Sequence, residues 1–236
     1  MSTRFLTSAL VLSLGACGGG SDTDPGSGSD TGEGTNTLFV SGNVEASPAL
    51  TNARSSAEFT TDFEVQIKLN DVGVTAGTVT ITSSTGKFPL TYVGDNGRWE
   101  GRANGYDEVY ILDIVSGTNE VTGVRVDGPD FHTFIKPTAG TTVDSTLPLE
   151  VTWDSDQDAE TSAIRADNID WVSIPDSGKF MLGVGALDAD ADQAKQNELR
   201  LMRLNRVVPA GAVAGSEFSV RVENRIDVIA APNPAL

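Results

Sequence analysis

From Leu38 onward, apolar residues recur at every second position, and this period constrains the fold more than any other feature. Leu38, Val40 and Val44 alternate with polar residues, and the run Phe63-Glu64-Val65-Gln66-Ile67-Lys68-Leu69 repeats the pattern. Successive side chains of a strand point to opposite faces of a sheet, so this period predicts half-buried β-strands. Further alternating runs cover residues 79–81, 88–92, 109–115 and 121–126.

Turn signals separate these runs every eight to twelve residues. They are Ser84-Thr85-Gly86-Lys87, Asp95-Asn96-Gly97 and Gly117-Thr118-Asn119. Asn-Gly is a strong hairpin signal because both residues tolerate the positive φ of a type I′ turn. Closely spaced strands without a helical stretch predict an all-β chain built as an antiparallel β-sandwich.

A second boundary falls at Gly128-Pro129 and at Lys136-Pro137-Thr138-Ala139-Gly140. Beyond it the alternation resumes in two runs. We therefore predict two tandem sandwiches, domain 1 over residues 38–137 and domain 2 over residues 138–236. Residues 186–206 are ambiguous and are interpreted as a loop with one helical turn, followed by a strand. The second-domain runs are Leu147, Leu149, Val151 and Trp153, and then Phe218, Val220 and Val222.

Charge and composition exclude several classes of function. The 236 residues carry 16 Lys+Arg against 33 Asp+Glu, a formal net charge of −17. Nucleic-acid binding needs basic surface to neutralise phosphates, so no nucleic-acid partner is expected. One Cys and one His are too few soft ligands for structural zinc, haem or an iron–sulfur cluster.

The N-terminus has the form of a secretory signal. Arg4 precedes an apolar run over residues 5–14 that is too short to span a bilayer. The run ends in Leu14-Gly15-Ala16-Cys17, which resembles the lipobox of bacterial lipoproteins. An ordinary signal peptide with a chance cysteine is the alternative.

The lipobox resemblance implies removal of residues 1–16 and a diacylglycerol thioether on Cys17, whose new amino group is acylated in many such bacteria. Two or three acyl chains make a durable membrane anchor. Gly18, standing where an aspartate would signal inner-membrane retention, favours the outer membrane, on its periplasmic face or at the cell surface. Residues 17–37 are then a lipidated cysteine and a flexible Gly/Ser-rich linker.

Four short motifs lie in the first predicted sandwich, between Leu38 and Gly117: Gly42-Asn43-Val44, Gly77-Thr78-Val79, Asp95-Asn96-Gly97-Arg98-Trp99 and Gly105-Tyr106. Their order resembles that of the transthyretin-like, carboxypeptidase-regulatory modules, and a generic immunoglobulin-like sandwich is the alternative. The resemblance implies a non-catalytic spacer or assembly element.

In the second predicted sandwich, Asp176-Ser177-Gly178-Lys179-Phe180 is similar to the corner that opens strand F of immunoglobulin domains, although Phe180 replaces the tyrosine and the cysteine pair is absent.

Two acidic clusters are candidate calcium ligands, because alternate carboxylates of a tight loop can converge on Ca²⁺. Neither fits the EF-hand template, whose sixth position needs glycine and whose twelfth needs glutamate. A site of another kind requires both clusters to lie at the same end of the second sandwich. Without it, the clusters are solvated acidic loops. The candidate ligands are Asp154, Asp156, Asp158 and Glu160 in the first cluster, and Asp188, Asp190 and Asp192 in the second.

Other chemistry has weaker support. His132 would have to serve any Ser-His-Asp triad, yet no G-x-S-x-G elbow exists after residue 38, so interdomain packing or surface exposure is expected instead. Ser84-Thr85-Gly86-Lys87 spells S-x-x-K, but a hairpin turn replaces the helix that this chemistry needs. Trp99, Trp153 and Trp171 could stack on sugar rings, although packing in a core or at an edge is favoured, and Trp153 is expected in the core.

Together these features predict a non-enzymatic cell-envelope lipoprotein with a structural or interaction role. Its partners are the membrane, through the lipid, and an envelope protein or a glycan. A calcium-assisted or glycan-binding surface module is the first alternative, and a hydrolase using scattered carboxylates is the second. No cofactor is predicted apart from the candidate calcium.

Overall fold

A computed structural model of the chain describes residues 28–235, and within that range the fold is all-β, as predicted. The predicted signal peptide, Cys17 and the first part of the predicted linker lie outside it. In the first half the strands are β1 (Glu33–Gly34), β2 (Leu38–Pro48), β3 (Phe59–Leu69), β4 (Val72–Gly73), β5 (Thr78–Ser83), β6 (Gly86–Pro89), β7 (Thr91–Val93), β8 (Arg98–Asn104), β9 (Val109–Ser116) and β10 (Asn119–Asp127). In the second half they are β11 (Thr133–Lys136), β12 (Thr142–Val143), β13 (Leu149–Asp154), β14 (Thr161–Ala166), β15 (Ile169–Ile174), β16 (Lys179–Leu182), β17 (Lys195–Val207) and β18 (Glu217–Ala230).

Two sheets enclose the first hydrophobic core. One has the order β1-β10-β9-β5-β6, and the other contributes β18, β2, β3, β8 and β7. Alternate residues of each strand face inward, such as Val40 and Val44 from β2 and Leu112 and Ile114 from β9, all fully buried. Burial of these side chains is the main stabilising contribution of the period-two pattern, about 25 cal/mol per Å² of apolar surface.

A second core lies between the sheet β11-β13-β16 and strands β14, β17 and β18. Trp153 is buried there, as predicted. The order β15-β14-β17-β18-β2-β3-β8-β7 is one continuous sheet, so the long strands β17 and β18 serve both cores.

Because β18 serves both cores, the predicted domain boundary does not separate the residues of the two cores. Phe218, Val220 and Val222 are the examples. They were expected in the second sandwich, but they pack in the first core, because the start of β18 pairs in parallel with β2. Ile226 and Val228, farther along the same strand, pack in the second core.

Between the two cores, the inward-facing positions of β17 and β18 hold polar side chains instead of apolar ones. On β18, Asn224 stands between Val222 and Ile226, and on β17 Arg203 follows Leu201. Asn224 and Arg203 are both fully buried. The two cores are therefore separated by buried polar side chains rather than by a flexible linker.

Three local predictions differ from the structure: the linker at residues 30–36, the helical turn near residue 193, and the type of turn at Asn96-Gly97. Residues 30–36, predicted as part of the flexible linker, form an edge segment, in which Thr35 N–H donates to Glu120 at 3.0 Å and Asn36 N–H to Gly211 at 2.8 Å. The helical turn near residue 193 is wrong, since β17 begins at Lys195 straight after a loop.

The Asn96-Gly97 hairpin forms, but through a different turn from the predicted one. Strands β7 and β8 pair from Val93 and Arg98, which leaves a loop of four residues. Gly97 adopts a φ of 65°, whereas Asn96 does not have a positive φ, so the turn is not type I′. Asn70 and Asp71, with φ of 50° and 65°, form a two-residue hairpin loop instead, between β3 and β4.

Candidate functional site

The two acidic clusters lie at opposite ends of the second sandwich. The backbone N–H of Glu160 donates to Asn205 at 2.8 Å, and that of Asp188 donates to Asn197 at 2.6 Å. Asn197 and Asn205 are eight residues apart on β17, about 27 Å along an extended strand. The condition for a shared calcium site is therefore not met.

The second acidic cluster is held by local contacts. Asp188 pairs with Lys195 at 3.0 Å, and Asp190 accepts the backbone N–H groups of Asp192 and Gln193. These two backbone hydrogen bonds lower the pKa of Asp190.

In the first acidic cluster, Asp154, Asp156 and Asp158 are exposed, and Glu160 pairs with Arg206 at 3.0 Å. In the part of the chain that the structure describes, no three Asp, Glu, His or Cys residues are arranged to hold a metal ion.

His132 is an interior packing residue between the two cores. Its side chain is fully buried, its ring meets Phe134 at 6.0 Å, and neither ring nitrogen has a hydrogen-bond partner among residues 28–235. Burial, together with the nearby Arg203 guanidinium, lowers the pKa of His132 to about 3. The imidazole is therefore neutral and closed to substrate at physiological pH.

Arg203, which is fully buried, and Asp176, whose side chain is 6% exposed, form an ion pair beside His132. The guanidinium Nη2 lies 2.7 Å from an Asp176 carboxylate oxygen, and Nη1 donates to the backbone carbonyl of Asp130 at 2.7 Å. Asp176 also accepts the backbone N–H of Ala159 at 2.6 Å. Burial alone would raise the pKa of Asp176, but the hydrogen bonds from Arg203 and Ala159 outweigh it, and the pKa is lowered.

Two buried asparagines extend this polar layer. Asn224 bonds both backbone groups of Ala53 and donates to the carbonyl of His132 at 2.7 Å. Asn52 bonds both backbone groups of Phe134. We call Arg203, Asp176, His132, Asn224 and Asn52 the seam. The sequence analysis did not identify Arg203 or its partner Asp176 as a buried pair. The alternation of Leu199, Leu201 and Arg203 does, however, place a cation at an inward-facing position of β17.

An open cleft of about 670 Å³ lies at one end of the first sandwich, next to the seam. Its floor is the outer face of the five-stranded sheet, where Thr82, Ile111 and Arg125 are neighbours across β5, β9 and β10. Its volume is in the range of small-ligand sites, about 300–1,000 Å³. The remaining lining residues are Ser56, Ser83, Ser84, Tyr106, Asp107, Glu108, Val109 and Phe131.

One wall of the cleft is aromatic and rigidly supported. The ring of Phe59 meets those of Tyr106 and Phe131 at 6.1 and 6.0 Å, and the Tyr106 hydroxyl donates to the carbonyl of Pro129. Burial raises the pKa of Tyr106 well above its ordinary value, so this hydroxyl remains a donor. The wall is consequently fixed before any ligand arrives.

The opposite rim is held by Asp107. Its carboxylate accepts hydroxyls from Ser83 and Ser84, both at 2.5 Å, and from Thr85 at 2.7 Å. Burial would raise the pKa of Asp107, but these hydroxyl donors prevail and lower it. Ser84 thus lies in a hairpin turn, as predicted, and its hydroxyl positions the β5–β6 loop.

Glu108 lines the cleft, whereas its neighbour Asp130 is buried and is not among the lining residues. Burial and the neighbouring Asp130 carboxyl raise the pKa of Glu108. Asp130 is 7% exposed, and its Oδ2 has no hydrogen-bond partner from any described residue. Sequence reasoning missed this pair, because the two residues belong to different loops and follow no motif spacing.

Of the three tryptophans, Trp99 is buried and donates through Nε1 to the carbonyl of Val74 at 3.0 Å, while Trp171 is 36% exposed on the edge strand β15.

No protein-family model matches the chain, and no curated protein matches its sequence. Between residues 28 and 235, no helix is long and apolar enough to cross a membrane.

Proposed function

We propose that this chain is a bacterial cell-envelope lipoprotein, anchored to the outer membrane through lipidated Cys17, whose folded part has a non-catalytic interaction role. The lipobox-like Leu14-Gly15-Ala16-Cys17 supports the anchor. Ser29 already contacts the folded part, since its Oγ accepts the backbone N–H of Asp127 at 3.1 Å. Even a fully extended segment from Cys17 would therefore keep the folded part within about 40 Å of the bilayer, at roughly 3.4 Å per residue.

The open cleft is the observation that carries the interaction role. Its floor is formed by paired strands and its wall by packed aromatic rings, so a ligand would meet a preformed surface. Preformed surfaces bind at a low cost in conformational entropy.

The chemistry of the cleft hydroxyls supports binding rather than catalysis. A serine nucleophile needs a base whose pKa lies near the working pH. The base next to Ser83 and Ser84 is Asp107, whose pKa is lowered by those same hydroxyls, so it holds a proton poorly. The hydroxyls therefore serve to shape the rim.

The test is photo-crosslinking in intact envelopes, with a photoreactive amino acid at the exposed rim position Ser56. Ile111→Trp would fill the floor of the cleft, and Ile135→Trp, at an exposed position on β11, is the matched control. We expect one crosslinked species with the parent and with Ile135→Trp, and its loss with Ile111→Trp. Equal crosslinking by all three would contradict an interaction role for the cleft.

A further inference from the structure

The edge strand β15 differs from every other sheet edge in the described part of the chain. The three sheets have six edge strands, of which β15 has six residues and the others have two to four. Lysine and proline protect an edge from pairing, and Pro89 stands in β6 and Lys136 in β11. Strand β15 contains neither residue type, and its Trp171 and Val172 are 36% and 42% exposed. This edge is therefore open to a further strand.

A second copy of β15 fits this edge through a two-fold axis. When identical strands pair antiparallel about such an axis, the residue on the axis lies opposite its own copy. The ladder of β15 to β14 has a bulge in its first half, and Pro175, which has no N–H, follows its second half. An axis at Val172 lies between these two limits. It places Trp171 opposite Ser173, so a large side chain meets a small one.

The charges near this edge are complementary under the same axis. Reversal of the strand brings Asp170 of one copy opposite Ile174 of the other, four residues before its Lys179 strand, β16, begins. Because β11 lies over β18, the other edge of that sheet, β16, lies over β15. Neither Asp170 nor Lys179 forms an ion pair with any residue in the range 28–235, so each copy offers the charge that the other lacks.

Two further properties bear on self-association. Exposed apolar side chains continue from β15 onto the neighbouring edge, with Met181 on β16 and Val184 just after it, and such surfaces mark interaction sites. The net charge of −17 on each copy opposes association, but at physiological ionic strength this repulsion is screened beyond about 8 Å.

We propose that two copies of the chain associate through β15, antiparallel about a two-fold axis at Val172, with Asp170 of each copy beside Lys179 of the other. The assembly closes at two copies, because the pairing uses the one long free edge. The cleft belongs to the first sandwich, so this proposal does not depend on the role of the cleft.

The first experiment is cysteine cross-linking of the full chain in intact cells, with copper phenanthroline as the oxidant. Opposed residues on the axis have Cα atoms about 4.5–5.5 Å apart, within reach of a disulfide. One position away, a residue and its own copy are about 8 Å apart, which is too far. We expect a disulfide-linked dimer for Val172→Cys and none for Trp171→Cys or Ser173→Cys. Thr91→Cys, on the edge strand β7, is the matched control, and the parent controls for Cys17.

The second experiment is sedimentation equilibrium of the purified full chain in detergent. Val172→Lys should raise the dissociation constant of the dimer at least about tenfold, because two lysines would face each other on the axis, whereas Val172→Thr should dimerise like the parent. Asp170→Lys and Lys179→Asp should each weaken the dimer about two- to fivefold, and their combination should restore it. These charge variants alter exposed side chains, so they keep the test valid if Val172→Lys fails to fold.

Three results would overturn the proposal. They are sedimentation of a monomer only, equal cross-linking from residues 171, 172 and 173, and a disulfide from Val172→Cys to a different protein. None of them affects the Ser56 crosslink, so the interaction role of the cleft stands or falls separately.

Discussion

Replacing Arg203 by methionine tests whether the buried polar side chains of the seam stabilise the fold on both of its sides. The substitution removes a fully buried guanidinium, retains an apolar side chain of similar length, and leaves the Asp176 carboxylate, itself 6% exposed, without its countercharge. Arg203 lies on β17, which serves both cores, and it also bonds the carbonyls of Asp130 and Gln157. Its loss should therefore weaken contacts on both sides of the seam.

Breaking a buried pair from one side costs about 3–5 kcal/mol, because an uncompensated charge remains. Asp176 keeps the hydrogen bond from Ala159 N–H at 2.6 Å and a longer one from Trp153 Nε1 at 3.3 Å, which favours the lower half of that range. For a domain of about 150–250 residues, a cost of about 3–4 kcal/mol corresponds to a decrease of roughly 6–16 °C in the melting temperature.

The assay is urea unfolding of Arg203→Met, with Arg206→Met as the matched control on the same strand. Arg206 is half exposed and pairs with Glu160 and Glu217, so its loss should cost less than about 1 kcal/mol. Equal destabilisation by the two substitutions would refute the account of the seam.

The pH dependence provides a second check. The pKa of Asp176 is lowered on folding, so its contribution is full above its unfolded pKa of about 3.9 and is lost as the pH falls through the folded value. The difference between the parent and Arg203→Met should therefore shrink in acid. A difference that stays constant down to about pH 2 would contradict this reasoning.

Three further predictions concern His132, the edge segment and the acidic loops. The lowered pKa of His132, about 3, predicts that the free energy of unfolding falls by up to about 1.4 kcal/mol per pH unit below its unfolded pKa, and His132→Phe should flatten this slope in pH-dependent melts. A Cβ on Gly211 would lie 1.9 Å from Gly34 N, so Gly211→Ala should speed proteolysis near residue 34, whereas Gly94→Ala, with open space around it, should not. The melting temperature should be the same in chelator and in millimolar calcium, because the two acidic clusters are far apart; a rise with calcium would contradict this.

The strands could be predicted because their signal is local. Alternating residues such as Val40 and Val44 report which face is buried, and nearly every run identified from the sequence became a strand. The pairing of β18 with β2 could not be predicted, because residues 176 apart in sequence meet through backbone groups that carry no side-chain signature. Consequently Phe218 was assigned to the wrong core.

The site was harder to predict than the fold. A carboxylate in the sequence does not reveal its partner: Asp176 was read as part of a turn motif, yet it also neutralises a buried arginine. The cleft depends on the meeting of the segments around Thr82, Glu108 and Phe131, which only tertiary structure brings about. The clearest acidic motifs, in contrast, form separate surface loops.

The anchor at Cys17 is the claim on which the envelope role depends most. The direct measurement is intact and peptide mass spectrometry of the native protein extracted from the membrane fraction. The account predicts a mature chain that begins at Cys17 and carries a diacylglycerol thioether. A chain that begins at Met1, or one that retains an unmodified thiol at residue 17, would contradict it.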